Sequence, residues 1–221
     1  MKLVLYSGGS LAANRALHGE FLRLLGAKEN PRVTFIPVDP EDAEAEYAEL
    51  KKSFQQFGIE HVEYFLLDHS YTKKDLDRVF ASDAIYLGGG NTFQFLHQVR
   101  ESGLLTKLRR YAKSGGILMG LSAGAILLTP SITTASVPSL DCDVNAIGIK
   151  DLRALSLVPF EFSPHYEAKR KSDAELKEHS RKVNHPVYAC KNGAGIVVEG
   201  EKISFVGPVE VFYQGEKYSL H

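Results

Sequence analysis

An α/β fold built on a mainly parallel sheet, with helices covering both of its faces, is what the order of elements along this chain predicts. Three observations carry that expectation. Short apolar runs alternate with longer segments of helical period, Gly or Pro punctuates the joints, and the apolar runs lack the polar alternation of a half-exposed strand.

Residues 3–6 form the first such run, and 33–37, 61–66, 84–87 and 116–119 repeat the pattern. Between the first two, Leu17, Phe21, Leu24 and Leu25 share one face of a helix expected over 11–25, with Gly26 as its stop. Asp39-Pro40-Glu41-Asp42 then supplies an N-cap, a proline at the first helical position and acids suited to the helix dipole. Those acids therefore need no catalytic role. Helices are also expected over 73–80, 92–101 and 104–113, with a small-residue helix at 123–128. A polar, Pro-containing connection from 130 to 150 follows, longer than a compact domain needs for a simple link. A helix over 167–182 comes next. Residues 196–199 and 202–205 read as a hairpin around Gly200-Glu201, and 209–213 as a last strand.

Composition narrows the function. The 221 residues carry 26 Lys and Arg against 27 Asp and Glu, a balance that argues against a polybasic nucleic-acid or membrane-surface protein. With 44% hydrophobic and 24% charged residues and no linker or repeat, one globular domain over residues 1–221 is expected. The apolar start is too short for a signal-peptide core, and no run reaches a membrane-spanning length. Two cysteines, Cys142 and Cys190, are too few for a disulfide framework. A cytoplasmic protein with reduced thiols is the expectation.

The strongest chemical signal is Gly120-Leu121-Ser122-Ala123-Gly124, a G-x-S-x-G string between a buried strand and a small-residue helix start. That is the setting of a nucleophile elbow: a sharp turn lifts the serine hydroxyl from the sheet, and the amide after it points at a developing oxyanion. A second cluster, Gly88-Gly89-Gly90-Asn91, also follows a strand and precedes a helix. Carboxyl ends of neighbouring parallel strands share one crevice, so its amides could complete an oxyanion hole. It could equally be a tight turn with Asn91 or Thr92 as N-cap. Neither this turn nor Ser7-Gly8-Gly9-Ser10 matches a phosphate-binding pattern, and no paired metal-ligand spacing occurs.

A serine nucleophile needs a base, and eight histidines are available. His18, His61, His69, His97, His179 and His185 are expected to be solvated or capping, and His221 is terminal. His165, in Phe162-Ser163-Pro164-His165-Tyr166, stands where a strand meets a helix and is the candidate base.

Taken together, Tyr86-Leu87-Gly88-Gly89-Gly90-Asn91-Thr92-Phe93-Gln94, then Gly120 to Ala125, then Ser163-Pro164-His165-Tyr166 resembles the peptidase E family of serine dipeptidases, relatives of cyanophycinase. The resemblance implies a three-layer sandwich like class I glutamine amidotransferase domains, with the elbow at the carboxyl end of a central strand. It implies Ser122 as nucleophile, His165 as base, an oxyanion hole from Gly89, Gly90 and Ala123, and no cofactor or metal. It implies a small peptide as substrate; neither nucleic acid nor membrane is expected as a partner, and the chain could pair as a homodimer.

Three departures accompany it. Asn192 stands where the family carries a glutamate as third triad member, and Ser136 at a second acidic position. Asn192 is therefore the first choice to orient His165, with Asp141 or Asp143 as alternatives. Ala174 aligns with the arginine thought to read an N-terminal aspartate, so strict aspartyl specificity is not expected, although Lys169, Arg170 and Lys171 are nearby. The leading reading is a serine peptidase of short peptides. A related esterase or amidase and a catalytically weak binding protein are the alternatives; a glutamine amidotransferase-like hydrolase is disfavoured by serine at the elbow.

Overall fold

The computed structural model describes residues 1–67 and 70–220; His69 and His221 lie outside the described residues. The chain runs β1 (Lys2–Tyr6), α1 (Arg15–Leu25), β2 (Arg32–Ile36), α2 (Ala43–Gln55), β3 (His61–Tyr64), α3 (Lys73–Phe80) and β4 (Ala84–Leu87). It continues through α4 (Thr92–Glu101), α5 (Leu104–Lys113), β5 (Ile117–Leu121), α6 (Ala123–Leu127), β6 (Glu161–Ser163) and α7 (Arg170–Lys182). Strands β7 (Val187–Cys190), β8 (Gly195–Glu199), β9 (Lys202–Val206), β10 (Val209–Tyr213) and β11 (Glu216–Leu220) complete it.

Seven strands form the central sheet in the order β3-β2-β4-β5-β1-β8-β9, the first five mutually parallel. The apolar runs work because alternate residues serve opposite faces. Leu3 and Leu5 join the core under α4 to α6, whereas Val4 and Tyr6 join the one under α1 and α2. Helices on both faces make the three-layer α/β arrangement that the sequence predicts.

The ends of the elements depart from expectation. Helix α1 begins at Arg15 because residues 11–14 form a turn, closed by the Asn14 amide donating to the Ser10 carbonyl (3.0 Å). Asp39 caps a turn, its Oδ1 accepting from the Glu41 amide (3.0 Å), and α2 starts later, at Ala43. Helix α7 starts at Arg170, since the Tyr166 amide is committed to the Cys190 carbonyl (2.9 Å).

A second sheet, β11-β10-β7-β6, was not foreseen. Residues 209–213 are not the last strand: β11 pairs antiparallel with β10 across Gln214-Gly215, both at positive φ. Its Glu-Lys-Tyr-Ser-Leu sequence carries little apolar signal because it is a largely exposed edge. Helix α7 packs on this sheet through Leu176, with Val187, Ala189 and Phe212.

Helix α4 carries a clear cap, Asn91 Oδ1 accepting from the Gln94 amide (3.0 Å). Asn91→Ala is expected to cost about 1 kcal/mol of stability, measured by urea unfolding. No described helix is long and apolar enough to cross a membrane.

Candidate active site

Ser122 follows β5 directly, and its backbone (φ 49°, ψ −107°) has the strained geometry of a sharp strand-to-helix turn. The flanking glycines are required by contact. A Cβ at Gly120 would lie 2.4 Å from the Gly124 carbonyl carbon, and one at Gly124 would lie 2.3 Å from the Leu87 carbonyl oxygen. Small residues thus let α6 lie against β4 and β5 and hold the serine proud of the sheet.

His165 arrives from the second sheet. Strands β6 and β7 are parallel, with Ser163 opposite Ala189, so residues two beyond the strand ends, His165 and Asn192, emerge side by side. Ser122 Oγ lies 2.7 Å from His165 Nε2, and His165 Nδ1 lies 2.8 Å from Asn192 Oδ1. An amide oxygen accepts only, so Nδ1 carries the proton and Nε2 turns its lone pair to the serine.

His165 itself sits at φ 52°. Its amide donates to Ser7 Oγ (2.8 Å), and the Ser7 hydroxyl donates to the Cys190 carbonyl (2.7 Å), which also accepts from the Tyr166 amide. Gly8 lies beneath the imidazole, where a Cβ would come within 2.4 Å of the His165 ring and 2.5 Å of Asn192 Oδ1. Sequence reasoning missed both residues, weighing Ser7-Gly8-Gly9-Ser10 only as a phosphate cradle. The available signal was a small-residue turn at the carboxyl end of central strand β1.

Tyr166 anchors the next position. Its hydroxyl donates to Asp173 and accepts from Lys217 Nζ (2.7 Å), which also donates to Asp173 (2.9 Å). Burial, then the Asp173 hydrogen bond, pushes the phenol up to about 12, so it stays protonated.

The glycine turn after β4 is a tight strand-to-helix turn, as one of the two expectations had it. Asn91 caps α4, while the amides of Gly89, Gly90 and Ala123 donate to no described residue. The Gly124 amide, bonded to the Gly88 carbonyl (3.0 Å), ties that turn to the elbow.

Neither alternative partner is hydrogen-bonded to the His165 ring, whose nitrogens face Ser122 and Asn192. Asp143 Oδ2 accepts from the Thr92 amide (2.8 Å), a favourable place for a carboxylate at a helix N-terminus. Asp141 is exposed and lines the cleft beside His165. The connection carrying them is pinned to α7 as well, Ser139 donating to Glu175 through both amide and hydroxyl (2.7 Å each).

Two histidine expectations need correction. His18 is buried against Tyr6, Phe54 and Phe57, and burial lowers its pKa to about 4. His179 is buried and hydrogen-bonded to buried Glu161, which His185 also approaches at 3.3 Å. In each case tertiary packing covers a helix position that local sequence reads as polar. Both cysteines are free; Cys142 is exposed, and burial pushes the Cys190 thiol up, out of reach of thiolate chemistry. No group of three or more His, Cys, Asp or Glu among the described residues could hold a metal ion.

The sequence pattern of peptidase family S51 matches residues 3–206. The chain belongs to peptidase family S51. Peptidase E of Actinobacillus pleuropneumoniae serotype 5b is 27% identical to it over 212 residues, covering 90% of this chain and 84% of that one. A Drosophila melanogaster protein named "Probable alpha-aspartyl dipeptidase" is 30% identical over 185 residues, covering 79% and 72%. A crystal structure of a Listeria monocytogenes EGD-e protein carrying the peptidase E name superposes with TM-score 0.74 at 24% identity, over 93% of this chain and 97% of that one. A peptidase from an acI-B1 actinobacterium superposes at 0.70 and 13% identity, over 99% and 93%. The S51 fold and a serine-type peptidase activity are thereby shown for this chain.

Proposed function

We propose that this S51 peptidase hydrolyses short peptides through an acyl-enzyme on Ser122, with His165 as general base, Asn192 as its orienting residue and no strict demand for aspartate. The observation that carries the mechanism is the continuous line from Ser122 Oγ to His165 Nε2 (2.7 Å) and from Nδ1 to Asn192 Oδ1 (2.8 Å).

In this reading Ser122 Oγ attacks the scissile carbonyl as its proton passes to His165 Nε2. The oxyanion formed is met by the amides of Gly89, Gly90 and Ala123. The imidazolium then gives its proton to the departing amine as the C–N bond breaks. Water attacks the acyl-enzyme with His165 again accepting the proton, and Ser122 is regenerated. Asn192 holds the ring in the productive tautomer but brings no charge to the imidazolium. Asn192→Ala is expected to lower kcat by roughly 10–100-fold with little change in KM, read from steady-state kinetics.

Charge sets the specificity in this reading. The cleft of about 280 Å³ beside Ser122 is lined by Thr134, Ser163, Asp141 and Asp143, with no Lys or Arg among its lining. Lys169 is paired with Glu167, and Ala174 carries no charge. An aspartate side chain entering there meets like charge, so Asp-Leu is expected to be cleaved at least about tenfold less efficiently than Ala-Leu; faster cleavage of Asp-Leu would refute that part.

Labelling with a fluorophosphonate, wild type beside Ser122→Ala and His165→Ala, tests the mechanism. An adduct on Ser122 that forms only when His165 is present supports it. A folded wild type that stays unlabelled sinks it and turns the proposal toward a peptide-binding protein.

A further inference from the structure

On the α1 and α2 side of the elbow lies a second cleft, about 270 Å³, bordered by Asn14, His18, Glu46, Glu49, Gly89 and Leu121. It touches the reacting centre through Gly89, whose amide faces the proposed oxyanion, and Leu121, the residue before Ser122.

Its only charged side chains are carboxylates, and two of its buried side-chain oxygens lack a partner among the described residues. Asn14 is only 4% exposed, and its Nδ2 donates to the carbonyls of Gly9 (3.1 Å) and Ser10 (3.2 Å). Two carbonyl partners fix the amide's orientation, so Oδ1 is the atom left over, and it is buried without a partner among the described residues. Glu46 Oε2 is likewise buried with none. Glu49 adds a second carboxylate, and no Lys or Arg lines the cleft. His18 does not offset these charges: burial holds its pKa at about 4, leaving it neutral, and its Nδ1 is engaged by the Tyr6 hydroxyl at 3.2 Å.

Buried acceptors without donors are costly, and a ligand that brings N–H donors and positive charge relieves that cost. We propose that this cleft is a subsite for a cationic group of the peptide, an ammonium or a guanidinium, resting on the reading of Ser122 as nucleophile. The flat fork or small tetrahedron of such a group supplies several donors at once, matching Asn14 Oδ1 and the two carboxylates. Burial, followed by the negative charges of Asp42, Asp39 and Glu49, pushes the Glu46 carboxyl above its usual range, as expected of an acid awaiting a cation.

The test measures binding without turnover, by calorimetry on Ser122→Ala protein. Probes are Arg-Ala, Ala-Arg, Ala-Lys, their norleucine counterparts, and N-acetylated forms of each. The expected result is at least a tenfold preference for a cationic form over its neutral counterpart, falling below about threefold in Glu46→Gln/Glu49→Gln protein and weakening with salt. Loss on norleucine replacement assigns the side chain as the group bound; loss on acetylation assigns the chain-end ammonium. Equal affinity for charged and neutral probes overturns the proposal. So does a preference that survives Glu46→Gln/Glu49→Gln but disappears in Asp141→Asn protein, which would place the charge reading in the other cleft. Because no chemistry is required, an unlabelled Ser122 would remove the catalytic reading and leave this result standing.

Discussion

Ser122→Ala is expected to lower kcat/KM for peptide hydrolysis by about 10⁴-fold or more, while the melting temperature stays within a few degrees of wild type. The asymmetry follows from where the hydroxyl sits. Its oxygen has one side-chain partner, His165 Nε2, and bears no capping bond to α6, so its removal deletes the nucleophile without unsatisfying the fold. The backbone at φ 49° is held by the Ser122 amide donating to the Tyr6 carbonyl (3.0 Å), which alanine keeps. Steady-state kinetics with thermal unfolding on the same preparation checks both halves. A variant retaining a tenth of wild-type activity would place the nucleophile elsewhere.

Gly8→Ala is the second large effect, and it reaches the chemistry without touching a reacting atom. The added methyl would lie within 2.4–2.6 Å of the His165 ring and Asn192 Oδ1, and the imidazole has to move. Displacing a general base by even 1 Å costs on the order of 10²-fold, so kcat is expected to fall by about that factor with KM nearly unchanged. The rate of fluorophosphonate labelling at Ser122 should fall in parallel. Gly19→Ala is the control: nothing lies within 4 Å of its added Cβ on α1, and a gain of roughly 0.5–1 kcal/mol in stability is expected there. Equal labelling rates for Gly8→Ala and wild type would refute a supporting role for that turn.

Much of this was legible locally. Four of the five parallel strands could be read because they are apolar on both faces, the exception being the edge strand β3, where only Val62 is buried, and four of the seven helices match their expected starts and ends within a residue or so. The elbow announced itself through glycines that the close passage of α6 over Leu87 makes necessary. The second sheet was harder to see. Strand β6 is three residues long and β11 is mostly polar, so neither has the period that marks a strand.

The site divides in the same way. Ser122 and His165 stand at element boundaries, which local residue patterns mark, and Asn192 entered by likeness to a family. What the sequence by itself determined, then, is the order of the five parallel strands and the helices between them, the elbow and the candidate base, because each depends on residues within a few positions of one another. Only the tertiary structure decided that Ser7 and Gly8 seat a histidine 158 and 157 positions away, that Asp143 is spent on the start of α4, and that burial among Tyr6, Phe54 and Phe57 keeps His18 neutral. Those roles arise from burial and contact between distant segments, and no local period or turn signal encodes which side chains the packing will bring together.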